Sequence, residues 1–460
     1  MRSHPFLPFL FSQIILSPAL IGQTPGPQPY DSLAQQIVKE ALGTNEAYGM
    51  LSDLCTNIGP RLSGSPAAAK AVQWAEEKME ELGFGDVHLE PVMVPHWVRG
   101  PVERAYIWGP SGKLEHLAIT ALGGTIGTPR GGITAEVLQV KSFEELNKLG
   151  DRANGKIIFF DRPMDRTLVN TFEAYGGAVD QRGAGAVEAA KVGGVAALVR
   201  SMTTRRDNVP HTGATHYDDS VKKIPAVAVS IIGAERLSAL LASGKPVRVH
   251  LELSAQTLPD VESANVVGEL RGTEKPHEVI VIGGHLDSWD KGQGANDDGA
   301  GCVQSMEALR LLKALGLKPK RTIRAVMFMN EENGLSGGIA YAEKKRPGEK
   351  TIAAIESDMG SFMPDGFGIS DSVAHENLVR WAPLFRFFNA DHFQLGGGGS
   401  DISPLARQGV PLIGLIPETQ RYFDYHHSDN DTIEGVNERE LALGAAALAI
   451  LSYVIAQEGL

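Results

Sequence analysis

Only two cysteines, Cys55 and Cys302, occur in 460 residues, and they lie far apart in the chain. A disulfide scaffold is therefore excluded, and so is a zinc site built on paired thiolates. Any metal held here must be held by imidazole and carboxylate. The sequence also lacks a run of lysine and arginine and lacks basic stretches interleaved with aromatics. It carries 43 basic residues against 55 acidic ones, a net charge of -12. Phosphate backbones and anionic lipid surfaces are bound through basic patches, so neither nucleic acid nor a membrane surface is expected as a partner. Internal repeats are absent. Beyond the N-terminus no stretch reads as long and apolar enough to span a bilayer. The rest of the composition, 43% hydrophobic and 21% charged, is that of a globular protein long enough for two or three domains.

At the N-terminus, Arg2 and His4 precede an almost wholly apolar run over residues 5–22, followed by a polar, Pro-rich stretch over 23–30. This pattern predicts a signal peptide over residues 1–22, cleaved near Gly22, and a secreted or periplasmic protein. From there the chain alternates in an α/β manner. Residues 30–42 and 46–55 have helical periodicity. Residues 65–83 predict a helix with Ser65 as N-cap, Pro66 in the first turn and Gly83 past the end. Residues 88–98 alternate as a strand does. Between 109 and 257 short strands are predicted at 136–140, 156–160, 196–199, 226–229 and 247–253, with one helix at 183–192. This stretch reads as a compact β-rich domain inserted into a first domain formed by 23–108 and 258–460, because chemistry resumes only beyond it. From 261 onward, apolar strands at 278–283, 322–329, 353–356 and 411–416 alternate with helices, among them 302–315 and a closing one at 438–456. Continuous apolar strands are buried on both faces. The fold class is therefore α/β, a mixed, mostly parallel sheet between helix layers.

The residues just beyond each strand carry the chemistry. One strand runs into His285-Leu286-Asp287, the next into Glu331-Glu332, a third into Asp358. Asp297 sits in the loop GQGANDDGAG and His427 in YHHSDND. Ligands of open α/β sheets bind just beyond the carboxyl ends of the strands. Taken singly, each piece has a bland reading: a surface turn, a solvated acidic face, an Asp-Asp-Gly turn, a satisfied histidine pair. Taken together they put unpaired charge at the ends of buried strands, which is costly unless a cation is bound. Carboxylates and imidazoles without thiolate suit catalytic Zn²⁺. Two histidines with three carboxylates exceed what one open catalytic ion needs and suit two ions sharing a carboxylate. Water between two such ions is acidified, and a neighbouring carboxylate can act as general base and then protonate a leaving amine.

The strings GGHLDSWDKGQGANDDGAG, MNEENG, ESDMG and FDYHHSDNDT resemble the zinc peptidases of family M28. The similarity extends to NIGPRLSGS, HLEPVMVPHW, GLKPKRTIR and SDISPLARQGVP, and so to nearly the whole chain after residue 30. The resemblance implies that His285 and Asp358 bind one zinc, that Glu332 and His427 bind a second, and that Asp297 bridges them. It implies Glu331 as general base and Asp287 as the hydrogen-bond partner that fixes the tautomer of His285. It further implies a cis Asp297–Asp298 peptide, a substrate that is an unblocked dipeptide or short peptide, and a homodimer. The resemblance also implies His427 over His426, because the family's ligand histidine directly precedes Ser or Thr and lies four residues before an Asp, here Ser428 and Asp431. The inserted stretch is similar to that family's protease-associated domain, with GKIIFF at 155–160 and IPAVAVS at 224–230. His211 and His216 read as surface histidines of that domain, and Asp401 as a group orienting the active-site wall or the substrate. A single-zinc glutaminyl cyclase, a non-catalytic binding module of the same fold and a dinuclear phosphatase or nuclease are the rival readings. The last would require a more His-rich set and a basic groove.

Overall fold

Ser65 caps the helix Pro66–Glu81 by accepting a hydrogen bond from the Ala68 N–H at 3.1 Å, and Pro66 occupies the first turn, where no N–H is missed. In this computed structural model, residues 30–44, 46–108 and 112–460 are described, and the signal peptide predicted at 1–22 lies outside them. Four helices bear on the site: α1 (Asp31–Thr44), α2 (Pro66–Glu81), α3 (Ala300–Ala314) and α4 (Glu438–Glu458).

The main sheet has eight strands: β1 (Gly85–Val98), β2 (Gln256–Leu270), β3 (Lys275–His285), β4 (Arg321–Phe328), β5 (Lys350–Glu356), β6 (Pro364–Ile369), β7 (His392–Leu395) and β8 (Leu412–Pro417). In space they run β1-β2-β4-β3-β5-β8-β6-β7. The four central strands β4, β3, β5 and β8 are mutually parallel, β1 and β2 pair antiparallel with their neighbours, and β6 pairs antiparallel with β8 and parallel with β7. Side chains alternate across the sheet. Ile280, Ile282, Ile323, Ala325 and Met327 pack with α1 to α4 on one face. Val279, Val281, Val326 and Phe328 pack on the other against Tyr341, Ile402 and Leu405. Every residue of β4 is buried, as a strand between two layers requires. The mixed, mostly parallel sheet between helix layers is thus as predicted.

α4 corrects one reading. It is long and apolar enough to cross a membrane, with a mean hydropathy of 1.6 over its most apolar window, yet 89% of that window is buried inside the protein. It packs against α1, α3 and the central strands, so its apolarity serves the core of this fold.

A second eight-stranded sheet is built from Glu103–Trp108, Leu114–Leu117, Ile119–Ala121, Ile133–Val140, Ile157–Phe160, Ala196–Arg200, Ala226–Val229 and Arg248–Leu253. It starts ahead of residue 109, because Glu103–Trp108 pairs with Arg248–Leu253. More helix accompanies it than the single one predicted: Phe143–Leu149, Thr171–Gly176, Asp180–Gly183 and Ile231–Leu241 join Gly185–Lys191. Most of these span two turns or fewer and so carry little periodic signal. Ile231–Leu241 is longer, and its cue was Ser230, whose hydroxyl accepts from the Gly233 N–H at 3.0 Å.

β1 is fastened to the segment beyond the Glu331-Glu332 loop through Glu90. Its buried carboxylate accepts from Arg346 at 2.6 and 2.7 Å and lies 3.0 Å from Lys344 Nζ and 3.4 Å from His88. Burial opposes its charge, but His88, Arg346 and Lys344 outweigh that and hold the carboxyl at about 2. A carboxyl held below its unfolded value of about 4.3 stabilises the fold fully above that value and loses the contribution as pH falls toward 2. Glu90→Gln is therefore expected to cost about 3 kcal/mol at pH 7. The gap in melting temperature between variant and wild type should narrow as pH drops from about 5 to 3. A gap independent of pH in calorimetry would show that the ion cluster is not its source.

Candidate metal centre

Parallel register puts three strand ends on one edge of the sheet. His285 ends β3 opposite Phe328 of β4, and Gly283 is opposite Glu356 of β5. Glu331 and Glu332 follow β4, Asp358 follows β5, Asp297 comes from the loop before α3, and His427 follows the short helix Tyr422–Tyr425 beyond β8. The structure brings all of them together. His285 Nε2 is 3.3 Å from Asp297 Oδ1 and 3.3 Å from Asp358 Oδ1. His427 Nε2 is 3.3 Å from Asp297 Oδ2 and 3.1 Å from Glu332 Oε2. Asp297 thus offers one oxygen to each histidine. His426 Nε2 stands farther off, 3.9 Å from Asp297 Oδ2, with its ring stacked on His427 at 3.5 Å.

The loops carrying these groups are held by buried polar side chains. Asp298 accepts from the His285 N–H at 3.0 Å and from the Gly301 N–H at 2.9 Å. A Cβ at Gly301 would collide with the Ser357 carbonyl, so only glycine lets the start of α3 approach the β5 loop this closely. The Asp297–Asp298 peptide is cis, as the family resemblance implies. Asp431 accepts from the Asn296 and Asp297 N–H groups at 2.8 and 3.1 Å. Arg61 is fully buried and donates to the carbonyls of Leu286, Gln293 and Gly294 at 2.6, 2.7 and 2.9 Å. Glu332 Oε1 accepts from the Trp289 N–H at 3.1 Å, which turns Oε2 toward His427.

Asp287 takes a different partner from the one predicted. His285 Nδ1 lies 3.0 Å from the main-chain carbonyl of Asp287, while the carboxylate is 3.9 Å away. That carboxylate instead accepts from the N–H groups of Asn330 and Glu331 at 2.6 and 3.1 Å, satisfying donors that leave the sheet at the end of β4. The carbonyl does the tautomer's work: Nδ1 donates to it, and the Nε2 lone pair faces the centre.

The electrostatics test whether a cation fits. His285 Nε2, Asp297 Oδ2 and Asp358 Oδ1 are buried without a hydrogen-bond partner among the described residues. Burial, reinforced by Asp297, pushes the Glu332 carboxyl well up, and burial likewise lifts Glu331 to about 7 and raises Asp358. Burial drives both His426 and His427 down, so each stays neutral with a lone pair to give. Burial works against a charged His285 too, but Asp358 and Asp297 outweigh it and hold that imidazole well above its ordinary value, so the carboxylates already draw positive charge into this space. A neutral His427 and a His285 crowded by desolvated carboxylates are a donor set for a divalent cation, and the residues present fit one.

The second sheet reaches into this site. His211 is buried, contrary to the surface position predicted. Its Nδ1 donates to the His426 carbonyl at 2.7 Å, and the next amide, Thr212, donates to the His427 carbonyl at 2.8 Å. Burial pushes His211 down to about 4, so it remains a neutral donor. His216 is exposed, as predicted. Asp401 lies buried beside Glu356 with both oxygens unpartnered. A cleft of about 530 Å³ opens over the centre, lined by Asp297, Glu331, Glu332, Asp358, His427 and, from the second-sheet side, Arg182. That volume is in the range of small-molecule sites.

Comparison with known proteins gives concordant matches. The description of peptidase family M28 fits residues 265–453. Carboxypeptidase Q of Mus musculus is 40% identical over 432 residues, spanning 93% of this chain and 90% of that protein. A peptidase M28 precursor from Shewanella amazonensis has a crystal structure similar at a TM-score of 0.89 and 36% identity, over 94% of this chain and 97% of that one. A zinc aminopeptidase from Bacillus subtilis shares the fold, with a TM-score of 0.65 and 21% identity over 90% and 95% of the two chains.

Stripping divalent cations with a chelator is expected to lower the melting temperature, and added Zn²⁺ to restore it. The gain should be about 2.7 kcal/mol at a hundredfold excess over Kd. His285→Ala should abolish most of that zinc-dependent rise in calorimetry; an undiminished rise would remove His285 from the ligand set.

Proposed function

The chain belongs to peptidase family M28 and is a zinc metallopeptidase, and from that premise we propose that it hydrolyses unblocked dipeptides or short peptides at a two-zinc centre. In this reading His285 and Asp358 hold one ion, Glu332 and His427 the other, and Asp297 is shared. The observation that carries it is the position of Asp297, with one oxygen 3.3 Å from His285 Nε2 and the other 3.3 Å from His427 Nε2. His427 is favoured over His426 because its Nε2 meets Glu332 as well as Asp297.

Bound zinc supplies Lewis acidity, polarising a peptide carbonyl and lowering the pKa of water. Glu331 does the proton transfer. Burial sets its carboxyl at about 7, where it can take a proton from the attacking water and return it to the leaving amine nitrogen. Asp287 supports that role by gripping the Asn330 and Glu331 amides, which fixes where the Glu331 side chain starts. Asn330 makes the turn with a left-handed backbone, φ 76°, which asparagine tolerates better than most residues.

The same reading makes residues 109–257 a protease-associated domain inserted between 23–108 and 258–460. It acts as a lid, supported by the hydrogen bonds from His211 and Thr212 to the histidine loop. Export, with cleavage of residues 1–22 near Gly22, rests on the apolar run over 5–22. The homodimer rests on the family resemblance.

Zinc content per chain and hydrolysis of a panel of unblocked dipeptides test the proposal in wild type and Glu331→Gln. Two zinc ions in both proteins are expected, with the variant slower by about 10²- to 10⁴-fold, the range of a lost general base. One zinc or none, with no dipeptide cleaved, would overturn the reading and favour a single-zinc cyclase or a binding module.

A further inference from the structure

The second sheet has a cavity of its own. Four of its strands, Ile133–Val140, Ile157–Phe160, Ala196–Arg200 and Ala226–Val229, run parallel side by side. Ligands of open parallel sheets sit beyond the carboxyl ends of the strands. Two adjacent strands here lead into arginines: Arg200 closes Ala196–Arg200, and Arg162 stands two residues past Phe160. Together with Arg166 they line a cavity of about 740 Å³, in the size range of small-molecule sites. This cavity shares no lining residue with the cleft over the metal centre.

Most of its charges are already matched. Arg200 donates to Asp161 at 2.8 Å, and Arg162 pairs with Asp180, neither acid lining the cavity. Of the lining carboxylates, Asp165 accepts from the Thr167 N–H and hydroxyl at 2.9 and 2.7 Å, and Glu235 pairs with Arg206 at 2.9 Å. One charge of each sign is left over. Arg166 gives one terminal nitrogen to the Thr204 carbonyl at 2.8 Å and meets no carboxylate among the described residues. Glu173 meets no cation among them. Apolar lining comes from Leu168 and from the buried Met164 and Ala174.

We propose that this cavity binds a free α-amino acid, with its carboxylate on Arg166, its ammonium on Glu173 and an apolar side chain against Met164, Leu168 and Ala174. A guanidinium fork matches a carboxylate bidentately. A zwitterion answers both unmatched charges at once, whereas a simple acid or a simple amine answers one. Choosing an amino acid among zwitterions rests on the peptidase reading, since peptide hydrolysis releases one.

An occupant here touches the metal-centre cleft through one short helix. Thr171–Gly176 gives Glu173 and Ala174 to this cavity, and Phe172 and Tyr175 to the cleft. Its start is pinned to the main unit: the Thr171 hydroxyl donates to the Thr419 carbonyl and the Gln420 amide to the Val169 carbonyl, each at 2.7 Å. A released amino acid is thus bound on the far side of the same helix that borders the site of its release.

Calorimetric titration of the zinc-loaded full chain with leucine tests this in wild type, Arg166→Gln and Glu173→Gln. The same titrations use 4-methylpentanoate, which lacks the ammonium, and 3-methylbutylamine, which lacks the carboxylate. Arg166 and Glu173 are exposed and outside the cleft, so melting temperature and dipeptide hydrolysis without added leucine are expected to match wild type. Each variant is expected to bind leucine about 10- to 100-fold more weakly, the worth of a charge-assisted hydrogen bond. Wild type should bind the two probes more weakly than leucine by a similar factor. Equal leucine affinity in all three proteins would place the amino acid at the metal centre and overturn the assignment. So would no leucine binding by wild type, or 4-methylpentanoate bound as tightly as leucine and equally lost in Arg166→Gln. Wild type that binds leucine through Arg166 and Glu173 yet cleaves no dipeptide would overturn the peptidase reading and leave the zwitterion site standing.

Discussion

Carboxylates crowded into a desolvated space repel one another, and at this sheet edge that repulsion is the constraint on which the rest depends. Asp287 and Glu332 are buried within a few residues of strand ends, Asp297 and Asp298 are buried in the loop before α3, and Asp358 and Glu331 adjoin them. Isolated, such groups would protonate or unfold the site. Two kinds of partner oppose this. Asp298 and Asp431 place both oxygens, and Asp287 one of its two, on backbone N–H groups, which work against the rise that burial causes and immobilise the loops concerned. Asp297, Asp358 and Glu332 keep oxygens turned to the two histidines, where a cation is the natural counter-charge. The fold thereby separates scaffold acids from the proposed ligand acids by what is already hydrogen-bonded.

The same division explains why two structural units are needed. The main sheet supplies one histidine at a strand end, where backbone register fixes it. The other sits on a loop beyond β8, with no strand to steady it and a left-handed backbone at His427, φ 60°. The carbonyls of His426 and His427 are taken by donors from the second-sheet unit, His211 and Thr212, while aromatic contacts with Tyr175 and Phe423 hold His426 from the side. A neutral His211 suits this role, because it donates to a carbonyl without adding positive charge beside a cation site. Loosening that unit would therefore loosen the proposed ligand His427, so the second-sheet unit and the histidine loop are mechanically joined.

The strands and the groups at their ends were legible in the sequence because strand-terminal chemistry has a linear signature: an apolar run, then an acid or histidine. The residues that hold those groups in position were less so. Arg61 lies inside a motif that marks the family, yet nothing in its neighbours says that it binds carbonyls more than 220 residues away. His211 contacts a residue 215 positions on, and no spacing rule reaches that far. Asp287 was assigned to the right neighbourhood and the wrong bond, since a carbonyl and a carboxylate of one residue compete for the same ring and only backbone geometry decides between them. Apolarity of α4 was visible, but whether lipid or protein surrounds it depends on packing, which no window of hydropathy contains.

Three adjacent pairs, Asp297-Asp298, Glu331-Glu332 and His426-His427, show how the chain makes one group chemical and its neighbour supportive. In the first, Asp298 is consumed by the His285 and Gly301 amides, leaving Asp297 to face both histidines. In the second, the Trp289 amide fixes one oxygen of Glu332 and aims the other at His427, so Glu331 alone keeps a carboxyl free to titrate near neutrality. In the third, His426 stacks against His427 and stands off from Asp297, packing beside the ring that faces the centre. Identical neighbours thus acquire different functions from the hydrogen bonds each is offered. A substitution at the supportive member of a pair should disturb where the other member stands before it changes the charge of the centre.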